Sequence, residues 1–229
     1  MRIKMKKTCL IWGIFLWVGS IVLSYLFIDK PLADFIFAHH FREYLAPLTH
    51  TVEWAPIMNG VAPFFGVGLL AAIVKKKEKT PLWVRIFFFM ILSVMLTFLL
   101  KNELKWVFSR YWTETWIDHN LSWIQNRAYG FQWFQGKLLQ GDDAMGSFPS
   151  GHTATAFATF LSLGFCYRRW LWTCVILASL EGIFMVLFDY HFLSDVLAGA
   201  LVGTACTLLY FHLIFNTKEN KALLMMALR

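Results

Sequence analysis

Six long apolar runs divide the chain, and they constrain its fold more than any other feature of the sequence. They cover approximately residues 9–28, 54–74, 81–104, 153–167, 170–188 and 196–215. A membrane-spanning helix needs about 20 mostly apolar residues, and 58% of this chain is hydrophobic while only 15% is charged. We therefore expect an all-α polytopic membrane protein, a bundle of six transmembrane helices forming one domain over residues 1–229. The first run is predicted to be a helix rather than a signal peptide, because no A-x-A-like cleavage site follows it.

Four clusters of basic residues set the expected orientation of these helices. They lie at residues 2–7, 75–79, 168–169 and 218–221, beside the apolar runs. Six spans place both termini on one side of the membrane, and all four clusters then share that side, which the positive-inside rule assigns to the cytoplasm. We expect a protein of the bacterial inner membrane with cytoplasmic termini and a long periplasmic loop, residues 111–146, between helices 3 and 4.

The charge and the cysteines argue against several other classes of protein. The net charge of +7 comes from residues that flank apolar runs, so it indicates membrane anchoring rather than nucleic-acid binding. The four cysteines have neither the spacing of metal ligands nor that of a secreted disulfide framework. We expect no metal, no cofactor and no nucleic-acid partner, and the sequence shows no sign of an obligate protein partner.

One short motif joins the polar loop to the fourth apolar run: Pro149-Ser150-Gly151-His152. Proline fixes φ before a helix, and small residues let backbone N–H groups approach an anion at the first helical turn. His152 is placed to donate a proton to a leaving oxygen. The alternative is that Pro149 and Ser150 only cap a helix and His152 is an interfacial polar residue.

Two further polar groups fall at the same predicted membrane face. Asp195 follows His191 by four residues, a separation that allows the carboxylate to hold the Nδ1 proton and leave Nε2 free to attack. The alternative is that Asp195 only caps the sixth helix. Lys105 and Arg110 lie at the end of the third run. They are candidates to neutralise a substrate phosphate; the alternative is that their side chains extend to lipid headgroups.

The loop from Tyr111 to Gly146 is rich in tryptophan and contains the basic residues Arg127 and Lys137. Tryptophan is enriched at membrane interfaces, so the loop is predicted to be an interfacial flap. It is also a candidate lid that grips a polar headgroup beside the site.

These stretches together resemble the type 2 phosphatidic acid phosphatase superfamily, which has the pattern K-x6-R-P, then P-S-G-H, then S-R-x5-H-x3-D. Lys105 matches the first lysine, residues 149–152 match the second motif in full, and His191 with Asp195 matches the end of the third. The motif-bearing core covers residues 100–200. The resemblance implies a two-step phosphatase that needs no metal.

The sequence departs from this pattern at two arginines. The first falls on Trp112 and the second on Met185. Arg110 is a candidate replacement for the first, and Arg127 or Lys137 for the second.

In the mechanism that the resemblance implies, His191 attacks phosphorus with Asp195 orienting it, and a phosphohistidine forms. His152 protonates the leaving alcohol and then activates water, while Lys105, Ser150 and the Gly151 N–H hold the phosphate oxygens. The expected substrate is a membrane lipid phosphate: lipid A 1-phosphate, undecaprenyl diphosphate or phosphatidylglycerol phosphate. The alternatives are a lipid phosphotransferase on the same site, and a non-catalytic lipid-binding or transport protein.

Overall fold

The structure, a computed structural model, describes residues 7–75, 81–116, 119–136 and 144–215. All regular elements within these residues are helical, and extended pairing is limited to three isolated bridges. The α-helices are α1 (Lys7–Leu23), α2 (Asp29–Ala38), α3 (Phe41–Tyr44), α4 (Trp54–Lys75), α5 (Leu82–Phe108), α6 (Trp123–Asn126), α7 (Gly151–Cys166), α8 (Leu171–Leu187) and α9 (Leu193–Phe215). A π-helical segment (Ser24–Ile28) joins α1 to α2, and 3₁₀ segments cover Ala46–Val52 and Arg168–Trp170. The predicted all-α class is confirmed.

Within the described residues, four helical segments are long and apolar enough to cross a bilayer. They are Ile11–Ala38, Trp83–Phe108, Arg168–Leu187 and Leu193–Leu213. Several such helices indicate a multi-pass membrane protein. The count of six spans stays a prediction, and so does the orientation. Of the four basic clusters, most of residues 2–7 and 75–79 and all of residues 218–221 lie outside the described residues.

The first helical segment is longer than the sequence predicts. The apolar run ends at Ile28, before Asp29 and Lys30, but the helix continues through the π-helical segment to Ala38. The predicted end was wrong because Asp29 does not face water: its side chain is buried and paired with Arg110. A carboxylate inside an apolar helix is tolerated when a cation and hydrogen bonds compensate it.

The position of α7 at the centre of the bundle determines where the motif residues lie. Helix α7 packs against α5, α8 and α9. A methyl group at Gly199 would collide with the carbonyl oxygen of Ser150, and one at Gly203 with that of Ala154. Glycine at these two positions lets α9 approach the backbone of α7 closely. The first turns of both helices therefore meet at one end of the bundle.

The loop between α5 and α7 packs much of its aromatic surface inward, in the parts that the structure describes. Phe131 contacts Phe108, Phe148 and Tyr25 with ring centroids 5.0–5.3 Å apart. Trp133 and Phe134 are 53% and 57% exposed. The loop thus covers the end of the bundle where the motifs meet, and its placement at a membrane interface stays a prediction.

Candidate active site

Two histidines from distant parts of the chain lie side by side. The ring centroids of His152 and His191 are 6.5 Å apart, with an interplanar angle of 61°. His152 stands in the first turn of α7, and His191 stands in the short connection between α8 and α9. A tetrahedral phosphoryl group is small enough to contact two imidazoles at this separation.

Asp195 and Ser147 surround the Nδ1 side of His191. Nδ1 lies 3.4 Å from Ser147 Oγ and 3.7 Å from Asp195 Oδ2. Ser147 Oγ donates to the same carboxylate oxygen at 2.6 Å, and the Phe192 N–H donates to it at 3.1 Å. The carboxylate is thus fixed on the side of the ring away from a reacting Nε2. Sequence reasoning predicted Asp195 beside His191 but gave Ser147 no role, although it stands three residues before Ser150.

The predicted helix start at the Pro149–His152 motif is confirmed. Ser150 is the N-cap of α7, with its Oγ 3.4 Å from the Thr153 nitrogen. The Ser150 N–H donates to the Asp195 carbonyl oxygen at 3.0 Å, and this bond ties the start of α7 to the start of α9. The first amides of α7 lie at the end of the bundle that carries both histidines, and such amides attract anions.

A cavity of about 280 Å³ opens beside His152. It is lined by Pro56, Asn59, Gly60, Phe98, Lys101, Gly151 and His152. The cavity therefore lies between α4, α5 and the first turn of α7, with both apolar and polar side chains in its lining.

Lys101 is a candidate site residue that sequence reasoning missed. It is only 3% exposed, and its Nζ would lie 3.0 Å from a methyl group placed on Gly151. The available signal was its position one helical turn before Lys105, which places both lysines on one face of α5. A buried ammonium beside the first turn of α7 adds positive charge where the helix already favours an anion.

The ring of Trp112 lies near both Lys105 and His191. The Lys105 Nζ is 5.4 Å from the Trp112 ring centroid, and that ring is 5.2 Å from the His191 ring. Both Lys105 and Trp112 are buried. Trp112, which replaces a motif arginine, therefore forms a wall of the site against which His191 packs.

Arg110 has a different environment from the one predicted. Its guanidinium is fully buried; it donates to Asp195 and Ser194 through Nη1 and to Asp29 through Nη2. Burial opposes the charged form, but Asp195 and Asp29 outweigh it and raise the pKa of Arg110 above its ordinary value. These contacts place Arg110 behind Asp195, as a partner of the carboxylate rather than of a phosphate in the cavity.

The structure does not bring the other predicted basic ligand to the histidines. The described contacts of Arg127 are with Asp34, at 2.5 Å, and with the ring of Trp123. Lys137 lies outside the described residues. Met185, at the second motif-arginine position, is fully buried in an apolar cluster with Val52, Phe188 and Val196.

No metal centre is evident in the part of the chain that the structure describes. Within it, no group of three or more His, Cys, Asp and Glu side chains is arranged to hold a metal ion. The independence of the activity from metal stays a prediction.

Comparisons with known proteins agree with the motifs. The protein-family model described as the PAP2 superfamily matches residues 62–219. A lipid A 1-phosphatase of Rhizobium johnstonii is 26% identical over 210 residues, which are 86% of this chain and 77% of that protein. A lipid A 1-phosphatase of Porphyromonas gingivalis is 44% identical over 73 residues, 30% of this chain and only 16% of that protein. No solved structure matches the chain.

Proposed function

Because this chain belongs to the PAP2 superfamily, we propose that it is a membrane lipid phosphatase acting through a phosphohistidine intermediate. The observation that carries the proposal is the 6.5 Å separation of the His152 and His191 rings, at one end of a bundle of apolar helices. A phosphorus atom placed between the two rings would have a nucleophile, His191, on one side and a proton donor, His152, on the other.

In the first step, His191 Nε2 attacks the phosphorus and the bond to the leaving oxygen breaks. His152, as an imidazolium, gives its proton to that oxygen, so that an alcohol leaves rather than an alkoxide. Asp195 and Ser147, near Nδ1 of His191, orient the ring and stabilise the positive charge that it acquires.

In the second step, water attacks the phosphohistidine. His152 is now neutral and takes a proton from the water, the P–N bond breaks, and His191 is restored as inorganic phosphate leaves. The same residue serves as acid and then as base, and each turnover returns both rings to their initial protonation states.

The phosphate oxygens need positive charge and N–H donors, because charge spreads over them in the transition state. We assign this role to Lys101, Lys105 and the Gly151 N–H, with Ser150 fixing the helix start. Lys101 and Gly151 line the cavity together with His152. In this assignment Lys101 supplies a charge that the motif arginines supply in other members of the superfamily.

We propose lipid A 1-phosphate as the first substrate to test, because two similar proteins carry the name lipid A 1-phosphatase. Undecaprenyl diphosphate and phosphatidylglycerol phosphate are the alternatives with similar chemistry. We further propose that the chain crosses the inner membrane six times and that the site faces the periplasm.

The experiment that tests this function uses the full chain purified in detergent. Release of inorganic phosphate is measured from each of the three lipids alone, with EDTA present. Phosphate release that survives chelation supports the histidine mechanism. Turnover that requires a second lipid as acceptor indicates a phosphotransferase instead, and stoichiometric lipid binding without turnover indicates a binding or transport protein.

A further inference from the structure

A network of three buried charged side chains joins the first helical segment to the start of α9. Arg110 donates to Asp195 through Nη1 and to Asp29 Oδ2 through Nη2, the latter at 2.8 Å. All three side chains have 0% exposure. The ion pairs are therefore shielded from water and from salt, and electrostatic effects within them are large.

Asp29 also holds the backbone at the start of α9. Its Oδ1 accepts from the Ser194 N–H at 3.0 Å, and its Oδ2 accepts from the Ser194 hydroxyl and, at 3.2 Å, from the Tyr129 hydroxyl. A carboxylate that accepts a first-turn N–H is favoured by the helix dipole. Asp29 thus contacts both the residue next to Asp195 and the cation that pairs with Asp195.

Two carboxylates share one guanidinium in this network, so the three side chains carry one net negative charge when all are ionised. With a neutral residue at position 29, Arg110 would compensate only Asp195. The net charge of the network beside His191 would then be zero. When Asp29 is ionised, it therefore competes with Asp195 for the charge of Arg110 and so affects how strongly Asp195 acts on the imidazole.

We propose that Asp29 is a positioning residue of the catalytic centre: by sharing Arg110, it leaves Asp195 with the negative charge that stabilises a cationic His191 ring. The catalytic consequence rests on the proposed phosphatase function, because a phosphohistidine carries such a charge. The electrostatic part concerns His191 in the resting protein and is tested separately from any activity.

Several charged or titratable groups near His191, in contact with it or one residue removed, influence its titration. They are Asp195 on α9, His152 on α7, Lys105 on α5, Arg110 after α5, Asp29 on α2, and Asp189 two residues before His191. Replacing Asp29 changes the charge of the Arg110 network, and no described contact joins the Asp29 side chain to the His191 ring, so the substitution leaves the contacts of the ring itself in place.

The test is a histidine titration of the full chain in detergent micelles, followed by NMR with ¹³C-labelled imidazoles. The signal of His191 is identified by its loss in the His191→Gln variant. Asp29→Asn keeps the shape of the side chain and an acceptor for the Ser194 N–H, but it removes the charge. We expect the His191 titration midpoint to fall by about one pH unit in Asp29→Asn.

Asp34→Asn is the matched control. Asp34 stands on the same helix and also pairs with an arginine, Arg127, at 2.5 Å, but its side chain is 45% exposed. We expect the His191 midpoint in this variant to equal that of the wild type. An unchanged midpoint in Asp29→Asn, or an equal shift in Asp34→Asn, overturns the proposal.

Enzyme kinetics add a second readout. If the wild type releases phosphate, the acidic limb of its kcat/KM profile should move to lower pH in Asp29→Asn by the same amount as the NMR midpoint, with a lower kcat. If the wild type releases none, the proposed function fails while the NMR titration still decides the role of Asp29.

A double variant covers the case in which Asp29→Asn alone does not fold. Combining it with Arg110→Gln removes one charge of each sign and leaves Asp195 as the remaining charge of the network. The proposal then predicts a His191 midpoint at or above that of the wild type. A midpoint below the wild-type value in the double variant contradicts it.

Discussion

The rings of His152 and His191 lie 6.5 Å apart, centroid to centroid, because α7 and α9 approach each other closely at the ends where their motifs begin. Gly199 permits this approach: a side chain there would collide with the Ser150 carbonyl oxygen. The Ser150 N–H then donates to the Asp195 carbonyl oxygen. The relation between the two histidines thus depends on backbone packing, and their proposed roles follow from that geometry.

Replacing His191 with alanine should abolish phosphate release. The loss should be on the order of 10⁴-fold, because the nucleophile is removed and no covalent intermediate forms. Phosphate release from the lipid substrate is the measurement, with thermal unfolding as the check on folding. His50→Ala is the control: His50 is exposed and pairs with Glu53, so its loss should leave turnover unchanged. Retained turnover in His191→Ala would refute the assignment.

Replacing His152 with alanine should make turnover depend strongly on the leaving group. Loss of the general acid should slow a lipid alkyl phosphate by about 10²–10⁴-fold. An aryl phosphate, whose phenolate leaves without a proton, should form the phosphohistidine at a rate much closer to that of the wild type. The burst of phenolate release measures this step. An equal loss for both substrates would mean that His152 does not protonate the leaving group.

Replacing Lys101 with methionine should weaken transition-state stabilisation while keeping the packing of the stem. Loss of one charged hydrogen bond to phosphate corresponds to roughly a 10- to 100-fold fall in kcat/KM. Lys101→Arg should restore part of it. Lys30→Met is the control, since the described contacts of Lys30 are with the rings of Trp123 and Tyr129. Kinetics of Lys101→Met equal to those of Lys30→Met would exclude Lys101 from the phosphate site.

The contribution of Asp189 to the free energy of unfolding should decrease as the pH rises. Burial and the nearby Glu114 raise the pKa of Asp189 to about 7, although Arg42 opposes the shift. A carboxyl whose pKa is raised on folding stabilises the folded protein at low pH. That contribution is lost between the unfolded pKa, near 4, and about pH 7, at up to ~1.4 kcal/mol per pH unit. The melting temperature of Asp189→Asn minus that of the wild type should therefore be higher at pH 8 than at pH 5. A stability difference that is the same at both pH values would contradict this reading.

The sequence predicted the all-α class from apolar length and placed Asp195 beside His191 from their spacing, because both signals are local. The pairing of His152 with His191 was predicted from the shared membrane face of their motifs and from the family resemblance. The sequence did not reveal Asp29, because a charged residue after an apolar run looks like the end of a helix until its partner is known. The role of Arg110 was missed for the same reason: its two carboxylate partners are 81 and 85 residues away along the chain.

Lys101 and Met185 show the other limit of sequence reasoning. Lys101 lies within an apolar helix, and only the packing of α5 against α7 places it beside Gly151. Met185 replaces a motif arginine, and the sequence offered Arg127 or Lys137 in its place, but the described contacts of Arg127 are with Asp34 and Trp123. The compensation proposed here, a lysine one turn before the motif lysine, requires the three-dimensional arrangement of two helices.

The most direct test of the central claim is to locate the phosphoryl group on the protein during turnover. The His152→Ala variant is mixed with an aryl phosphate labelled at phosphorus, quenched under alkaline conditions that preserve phosphohistidine, and digested for peptide mapping. The expected result is label on His191. Label on any other residue, or turnover in the wild type with no labelled protein at any time point, would contradict it.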